Sequence, residues 1–335
     1  MTPRNTCLVG DARTRLGELA PASVDCVITS PPYFLLRNYG VSGQVGLEPD
    51  IEAWVRQLVS VMDGVGRVLK PAGSVWLNVG DSYSRHRSYG GPPKSLLLGP
   101  ERLLVALAAA GWTVRNKVVW AKTNPRPASV GDRLSCSWEP IYFLTRSPAY
   151  FFDLDAVRVP HLSSNRRPSA AAKPTEEIPP WAGPLAGTQA GLRRARTDGR
   201  AGHVLGKNPG DIWRLPASSY RGAHFATFPE RLVELPLRAT CPEAVCRHCG
   251  QAWRREPASR LGRLAVRGEL RPVCNCRAAT RPGLVLDPFF GAGTVGLVAE
   301  RLERDWLGIE LNPAFVALAE TRLAARRRPT DRRAA

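Results

Sequence analysis

Residues 283–311, GLVLDPFFGAGTVGLVAERLERDWLGIEL, constrain the fold of this chain more than any other segment. Their pattern predicts a strand, a glycine-rich turn, a helix and a second strand, with Asp287 ending the first strand and Glu310 the second. Two strands joined through a helix lie parallel in one sheet, because the crossover returns the chain to the same edge. An acidic residue about 20 positions after the glycines suits hydrogen bonds to ribose hydroxyls, which favours an adenosine-containing ligand.

The turn narrows the choice of ligand. Gly291 and Gly293 let the backbone turn tightly close to a ligand, and the helix that begins after Thr294 offers unpaired N–H groups. No lysine follows the glycines to neutralise a triphosphate, and the leading Asp287 would repel a pyrophosphate. Asp287 instead suits a ligand with an ammonium and a sulfonium group, such as S-adenosylmethionine.

The rest of the chain also alternates strands with helices, which predicts an α/β fold with a mostly parallel sheet. Strands are predicted at residues 6–9, 24–29, 73–79, 114–120, 139–145, 283–287 and 305–310, and helices at 50–69, 100–110, 229–238, 293–303 and 312–326. There is no apolar run of about 18 residues, so no membrane span is expected. The beginning, MTPRNTCLVGDAR, lacks the apolar region of a secretory signal. The eight cysteines are unevenly placed, which favours a cytoplasmic protein with a local metal site over a disulfide framework.

The strand VDCVIT at residues 24–29 ends in an unusual way. Ser30, Pro31, Pro32 and Tyr33 follow it, and the prolines cannot continue the hydrogen bonding of a strand. They do hold the turn in few conformations, which fixes the direction of the Pro31 carbonyl. The plain alternative is a strand end stopped by proline.

TSPPY at 29–33 and DPFFGAG at 287–293 together resemble the two signature motifs of the exocyclic-amino DNA methyltransferases. Their order, catalytic motif first and cofactor motif last, resembles that of the β class. Similar segments are GDAR at 10–13, GQVGLE at 43–48, RVLKPAGSVWLNVGDSY at 67–83, VVWAKTNPRPASVGDR at 118–133 and AHFATFPERLVE at 223–234. The resemblance covers nearly the whole chain except a basic segment and a cysteine cluster.

The resemblance implies a circularly permuted Rossmann-like methyltransferase fold with a mostly parallel seven-stranded sheet. It implies S-adenosyl-L-methionine as cofactor and double-stranded DNA as partner, and a cognate restriction endonuclease is a further partner compatible with it. The implied cofactor-binding residues are Asp11, Phe225, Asp287, Phe289, Gly291, Gly293, Thr294 and Glu310. For Asp11 the alternative is the cap of a turn, and for Phe225 it is a place in the core.

The same resemblance gives the tetrapeptide a chemical role. The lone pair of an exocyclic amine is delocalised into the ring, so two acceptors must take its hydrogens and pull the nitrogen toward tetrahedral geometry. Ser30 Oγ and the Pro31 carbonyl are the implied acceptors, Pro32 stiffens the turn, and Tyr33 offers a ring for stacking on a flipped base. Serine in this motif favours N4 of cytosine, with N6 of adenine as the alternative. RNA methylation, and a zinc-ribbon DNA-binding protein without catalysis, also stay open.

Charge sets one segment apart. The chain carries 47 Lys and Arg against 29 Asp and Glu, a net charge of +18 that favours a polyanionic partner. Residues 156–212 are basic, rich in Pro, Gly and Ala, and without periodicity, so they predict either a flexible loop or a target-recognition insertion. The predicted organisation is a catalytic half at 1–155, this insertion at 156–212, the N-terminal part of the cofactor pocket at 213–240, a cysteine insertion at 241–280, a cofactor-binding half at 281–326 and a basic tail at 327–335.

Four of the eight cysteines form two close pairs, Cys246 with Cys249 and Cys274 with Cys276. Two pairs of thiolates suit tetrahedral zinc, and the glycine after Cys249 permits the tight turn of a knuckle. The second pair is C-x-C, so His248 as a substitute ligand and reduced free thiols stay as alternatives. We predict a structural zinc held by the four cysteines in a small zinc-ribbon-like insertion.

Overall fold

The structure is a computed structural model that describes residues 2–125, 127–161, 203–217, 228–261 and 264–327. Most of the basic insertion lies outside these ranges, and so does one predicted cofactor residue, Phe225. The chain divides into two compact units. The first consists of 1–153, 210–253 and 272–335, and the second consists of 154–209 and 254–271.

The described residues contain strands and helices at nearly all of the predicted places. The strands are β1 (Thr6–Val9), β2 (Val24–Thr29), β3 (Leu69–Asn78), β4 (Thr113–Lys122), β5 (Trp138–Thr145), β6 (Ile212–Leu215), β7 (Val245–Cys246), β8 (Arg254–Arg255), β9 (Ser259–Leu261), β10 (Leu264–Val266), β11 (Leu270–Arg271), β12 (Thr280–Arg281), β13 (Leu284–Asp287) and β14 (Asp305–Glu310). The α-helices are α1 (Ala12–Glu18), α2 (Ile51–Val68), α3 (Gly99–Ala109), α4 (Glu230–Thr240), α5 (Thr294–Arg301) and α6 (Pro313–Arg327). Within the described ranges, no helix combines the length and the apolar character needed to cross a membrane.

Eight strands form the central sheet, in the order β1-β14-β13-β2-β3-β5-β4-β6. Neighbouring strands are parallel except at β5, which is antiparallel to both β3 and β4. The predicted mostly parallel sheet is therefore confirmed, whereas the predicted number of seven strands is wrong. The eighth strand is β6, which pairs with Val119–Lys122 of β4 and satisfies the backbone groups of that sheet edge.

Helices cover both faces of this sheet. In β13, Leu284 and Leu286 belong to one apolar core, and Val285 between them belongs to the other. The first core includes Leu16 of α1, Leu58 of α2 and Leu103 of α3, and the second includes Leu237 of α4, Val298 of α5 and Leu323 of α6. Burial of both faces is typical of parallel strands, which explains why all six residues of β2 are buried.

A buried carboxylate joins β2 to β13. Asp25 is 5 % exposed and accepts hydrogen bonds from Lys70 Nζ at 2.6 Å and from the Leu284 backbone N–H at 2.9 Å. Lys70 Nζ also contacts the Gly250 carbonyl at 3.3 Å. Asp25 lies near the start of β2 and Leu284 begins β13, so this carboxylate helps to set the two strands side by side.

The second unit contains short antiparallel pairs, β8 with β11 and β9 with β10. Its other described segments come from the two ends of the basic insertion. Asp155 Oδ1 lies 2.6 Å from Arg158 Nε and 3.7 Å from His203 Nε2, and Val159 forms an antiparallel bridge with Lys207. These contacts hold the two ends of the insertion together.

Candidate active site

The two signature motifs lie side by side at the carboxyl edge of the sheet. β2 and β13 are parallel neighbours, with Val27 opposite Leu286. The last residue of β2, Thr29, donates a 2.7 Å hydrogen bond from its hydroxyl to Oδ1 of Asp287, the last residue of β13. Open α/β sheets bind ligands beyond the carboxyl ends of their strands, so this edge is the expected place for a site.

A cavity of about 750 Å³ opens at this edge, a volume in the range of small-molecule pockets. The predicted site residues on its wall are Asp11, Ser30, Pro31, Pro32, Tyr33, Phe289, Gly291, Thr294 and Glu310. Asp287 and Gly293 belong to the same turn as Phe289 and Gly291 but do not line the cavity. One cavity therefore brings together all four residues assigned to the amine and five of the eight assigned to the cofactor, although the two groups are far apart in the sequence.

The glycine-rich turn depends on glycine conformations and on a buried aromatic pair. Gly291 and Gly293 have φ angles of 51° and 75°, a region that favours glycine. Beneath the turn Phe290 stacks on Trp306, with ring centroids 5.0 Å apart and planes 9° apart. A Cβ atom on Gly308 would lie 2.4 Å from the Phe290 ring, so the glycine allows this ring to lie against β14.

Glu310 braces the turn from the end of β14. Its Oε2 accepts a hydrogen bond from the Gly291 N–H at 2.8 Å, and its Oε1 accepts one from the Asn312 N–H at 2.9 Å. Burial raises the pKa of Glu310, and the backbone hydrogen bonds oppose that rise. A carboxylate oxygen accepts more than one hydrogen bond, so Glu310 keeps acceptor capacity toward the cavity that it lines.

The two carboxylate oxygens of Asp287 differ in their hydrogen bonds. Oδ1 accepts from the Thr29 hydroxyl and, at 3.0 Å, from the Phe289 N–H. Oδ2 is buried and has no hydrogen-bond partner among the residues that the structure describes. Burial raises the pKa of Asp287 to about 7, and the charge of Glu310 contributes to that rise. A buried oxygen without a partner is costly, so this carboxylate fits a cationic ligand group such as the ammonium of the predicted cofactor.

Asp11 begins helix α1. Its Oδ1 accepts hydrogen bonds from the backbone N–H groups of Arg13 and Thr14, at 3.0 and 3.3 Å, and Arg13 also pairs with its Oδ2 at 3.0 Å. Burial opposes ionisation of Asp11, but the hydrogen bonds from Arg13 and Thr14 together lower its pKa. The capping alternative is therefore what the contacts show, while the position of Asp11 on the cavity wall leaves the cofactor role as a prediction.

A polar network beside Ser30 contains three residues that were not predicted as site residues, namely Asn78, Lys122 and Glu139. Ser30 Oγ lies 3.3 Å from both Tyr33 Oη and Asn78 Oδ1. The Tyr33 hydroxyl donates to Glu139 Oε2 at 2.8 Å, and Lys122 pairs with the other oxygen of Glu139. Burial, together with the charge of Glu139, raises the pKa of Tyr33, so the phenol keeps its proton and donates.

Further cavity residues were missed because they lie outside the quoted motifs or gave no distinctive pattern. Tyr39 follows the tetrapeptide, and its ring meets that of Phe315 edge to face at 6.1 Å. Asn312, just after β14, lies beside them and also lines the cavity. Two aromatic rings and an amide at one end of the cavity suit a flat heterocycle.

The predicted metal ligands come together in the first unit. The Sγ atoms of Cys246, Cys249, Cys274 and Cys276 all lie within 4.8 Å of one another. Four thiolates at about 2.3 Å from one tetrahedral zinc require a cluster of this size, so the donor set fits that ion. The backbone N–H groups of Cys249 and His248 point at the Cys246 sulfur and lower the pKa of its thiol to about 6. His248 itself is not one of the clustered ligands.

The fold and the cavity together define an α/β methyltransferase with a mainly parallel central sheet. The family model N6_N4_Mtase, described as DNA methylase, matches residues 24–321. The chain belongs to this family, and it is a site-specific DNA methyltransferase.

Relatives along nearly the whole chain agree with this assignment. The Type II methyltransferase M.XycI of Xanthomonas campestris pv. cyanopsidis is 34% identical over 95% of this chain and 87% of its own length. M.SmaI of Serratia marcescens is 32% identical over 96% of this chain and 91% of its own length.

Solved structures share the fold. PvuII DNA methyltransferase (cytosine-N4-specific) aligns with a TM-score of 0.59 and 20% identity, over 96% of this chain and 87% of that one. TTHA0409 of Thermus thermophilus, complexed with S-adenosyl-L-methionine, aligns with a TM-score of 0.53 and 23% identity, over 96% and 93% of the two chains.

Proposed function

We propose that the chain methylates the N4 amine of cytosine in duplex DNA after the base has left the helix. The carrying observation is Ser30, a neutral hydroxyl on the wall of the same cavity as the glycine-rich turn. The fold shared with a methyltransferase named as cytosine-N4-specific supports this choice of base. The order of the motifs, with Ser30 after β2 and the cofactor turn after β13, supports the circularly permuted form of the fold.

The residues divide the chemistry between them. Asp287, the turn from Phe289 to Thr294, Glu310 and Asp11 would hold the cofactor, which supplies an electrophilic methyl group when it is bound. Ser30 Oγ and the Pro31 carbonyl each accept a hydrogen bond from one N–H of the amine. These two hydrogen bonds direct the nitrogen lone pair toward that methyl group. Tyr33 borders the base, and Pro32 limits the movement of the turn. Positioning of this kind supplies a large part of the reduction in the activation barrier for a transfer between two bound groups.

The competing product is N6-methyladenine, because the family model covers both exocyclic amines. Unmethylated genomic DNA treated with the purified protein and cofactor is digested to nucleosides and analysed by mass spectrometry. The proposal predicts N4-methylcytosine, whereas N6-methyladenine would overturn the choice of base. Structured RNA treated in parallel stays unmodified if DNA is the substrate.

Target recognition is assigned to the basic insertion at 156–212, whose nine Lys and Arg against three acids from 156 to 210 suit phosphate contacts. The similarity to Type II methyltransferases supports a cognate restriction endonuclease as a further partner. Removal of the insertion should abolish methylation of DNA while cofactor binding persists.

We further propose that the four clustered cysteines hold a structural zinc. Cys274→Ser removes one of the four thiolates, so bound zinc should fall well below one ion per chain and the melting temperature should drop. Cys136→Ser, at an exposed thiol outside the cluster, is the matched control and should change neither. A purified protein without zinc, with unchanged melting in Cys274→Ser, would show that the cysteines are free thiols.

A further inference from the structure

Glu139 is the anionic centre of the network beneath the cavity. Its Oε1 pairs with Lys122 Nζ, and its Oε2 accepts from Tyr33 Oη at 2.8 Å and from Asn78 Nδ2 at 3.3 Å. The side chains of Glu139 and Lys122 are 17% and 20% exposed, so the ion pair is largely shielded from water. A shielded carboxylate attracts donors strongly and gives the network a fixed direction of donation.

The amide of Asn78 has one orientation that its surroundings satisfy. Its Nδ2 faces two acceptors, Glu139 Oε2 and, at 3.2 Å, the Pro140 carbonyl. Its Oδ1 faces two hydroxyls, those of Ser30 at 3.3 Å and Tyr33 at 3.2 Å. The reversed amide would set its oxygen against two acceptors, so Glu139 and the Pro140 carbonyl together hold Asn78 with the oxygen toward Ser30.

The direction of donation extends to Ser30. The single hydroxyl hydrogen of Tyr33 goes to Glu139, its shortest contact and a charged acceptor, which leaves the Tyr33 oxygen as an acceptor. Both groups near Ser30 Oγ, this oxygen and Asn78 Oδ1, therefore accept the Ser30 hydrogen. The lone pairs of Ser30 then stay available to a donor in the cavity.

We propose that Glu139, paired with Lys122, is a positioning residue for methyl transfer. It orients the oxygens of Asn78 and Tyr33 as hydrogen-bond acceptors for the Ser30 hydroxyl. Ser30 Oγ is then free to accept a hydrogen bond from the substrate amine. The proposal rests on the proposed role of Ser30. It adds the residues that make the oxygen of a neutral serine a hydrogen-bond acceptor for the amine. Glu139→Gln presents an N–H₂ group to this network and removes the charge that orders it.

The test measures transfer of tritiated methyl groups from the cofactor to unmethylated genomic DNA, and cofactor affinity by calorimetry. Glu139→Gln should lower kcat by about 10- to 100-fold, a typical effect for a residue that orients another, with the KM for DNA and the cofactor Kd within about twofold of wild type. Glu101→Gln, which breaks an exposed pair with Lys117, is the matched control and should leave all three values unchanged.

A double-mutant cycle separates positioning from general damage. Because Glu139 acts partly through Asn78, the loss in the variant with both Glu139→Gln and Asn78→Ala should be smaller than the product of the two single losses. Fully additive losses, a wild-type kcat in Glu139→Gln, or a loss confined to cofactor or DNA affinity would each overturn the proposal. Full activity of Ser30→Ala would instead refute the role of Ser30, so the two failures are distinguishable.

Discussion

Ser30 is the residue on which the proposed amine chemistry depends. Ser30→Ala removes an acceptor that the amine hydrogen meets during transfer, so kcat should fall by about 100-fold or more. The cofactor Kd should stay unchanged, because the cofactor residues on the other wall are intact. Ser88→Ala, at an exposed serine, is the control and should behave as wild type. Weaker cofactor binding with normal single-turnover transfer in Ser30→Ala would contradict the assignment.

Asp287 makes a second prediction, about pH. Burial raises its pKa in the folded protein to about 7, whereas an unfolded Asp ionises near 3.9. Between these values the folded chain binds more protons than the unfolded chain, so the contribution of Asp287 to stability is complete below about pH 4 and is lost as the pH rises to about 7. Asp287→Asn should therefore flatten the decline in melting temperature from about pH 4.5 to 7.5 relative to wild type. If the melting temperatures of the two proteins change equally with pH across this range, the raised pKa is contradicted.

The candidate site was predictable where a residue ends a strand. Ser30 follows β2, and Asp287 and Glu310 end β13 and β14, so their motifs and the rules of parallel sheets placed them together. Asn78 and Glu139 were not predicted as site residues, because they join the network only through strand pairing. Asn78 reaches Ser30 through the pairing of β2 with β3, and Glu139 reaches Asn78 through the pairing of β3 with the antiparallel strand β5. Apolar alternation marks these strands in the sequence, but it does not state which residues lie opposite one another.

At the scale of the element, the glycine-rich turn is held by the fit of Phe290 against β14. Gly308→Ala places a methyl group 2.4 Å from the Phe290 ring, so the ring and the turn above it must shift. The expected cost is about 1–3 kcal/mol of unfolding free energy, with weaker cofactor binding. Gly17→Ala, in α1 with open space around the added carbon, should cost nothing and is the matched control. Chemical denaturation measures the unfolding free energy, and calorimetry measures cofactor binding. Unaltered cofactor binding in Gly308→Ala would show that the position of the Phe290 ring does not determine the conformation of the turn.

The elements that the sequence did not predict are the short ones. α1 spans seven residues, of which only Ala12 and Leu16 are buried, so it offers hardly one apolar repeat. β6 has four residues and follows directly on the Pro- and Gly-rich basic insertion, where local composition gives no strand signal. Its place is decided by the free edge of β4, a tertiary effect. The long strands and helices were predictable because each carries several buried apolar positions.

At the scale of the whole molecule, the net charge of +18 makes a prediction about DNA binding. Lys and Arg side chains that neutralise phosphates release counterions, so the logarithm of the association constant should fall linearly with the logarithm of salt concentration. With about 6–10 phosphate contacts, affinity for duplex DNA should drop by roughly 10³- to 10⁵-fold between 50 and 200 mM salt. Fluorescence anisotropy with a labelled duplex measures this slope.

Cofactor binding provides the internal comparison for the salt titration. The residues proposed to hold the cofactor are buried or half-buried, and interactions of such groups are screened much less than those of exposed charges. The cofactor Kd, measured in the same buffers, should change little while DNA affinity falls. Deletion of the basic insertion should then reduce the DNA slope, because nine of the cations lie between 156 and 210. An unchanged salt slope after the deletion would indicate that the phosphate contacts lie on the methyltransferase core and not on the insertion.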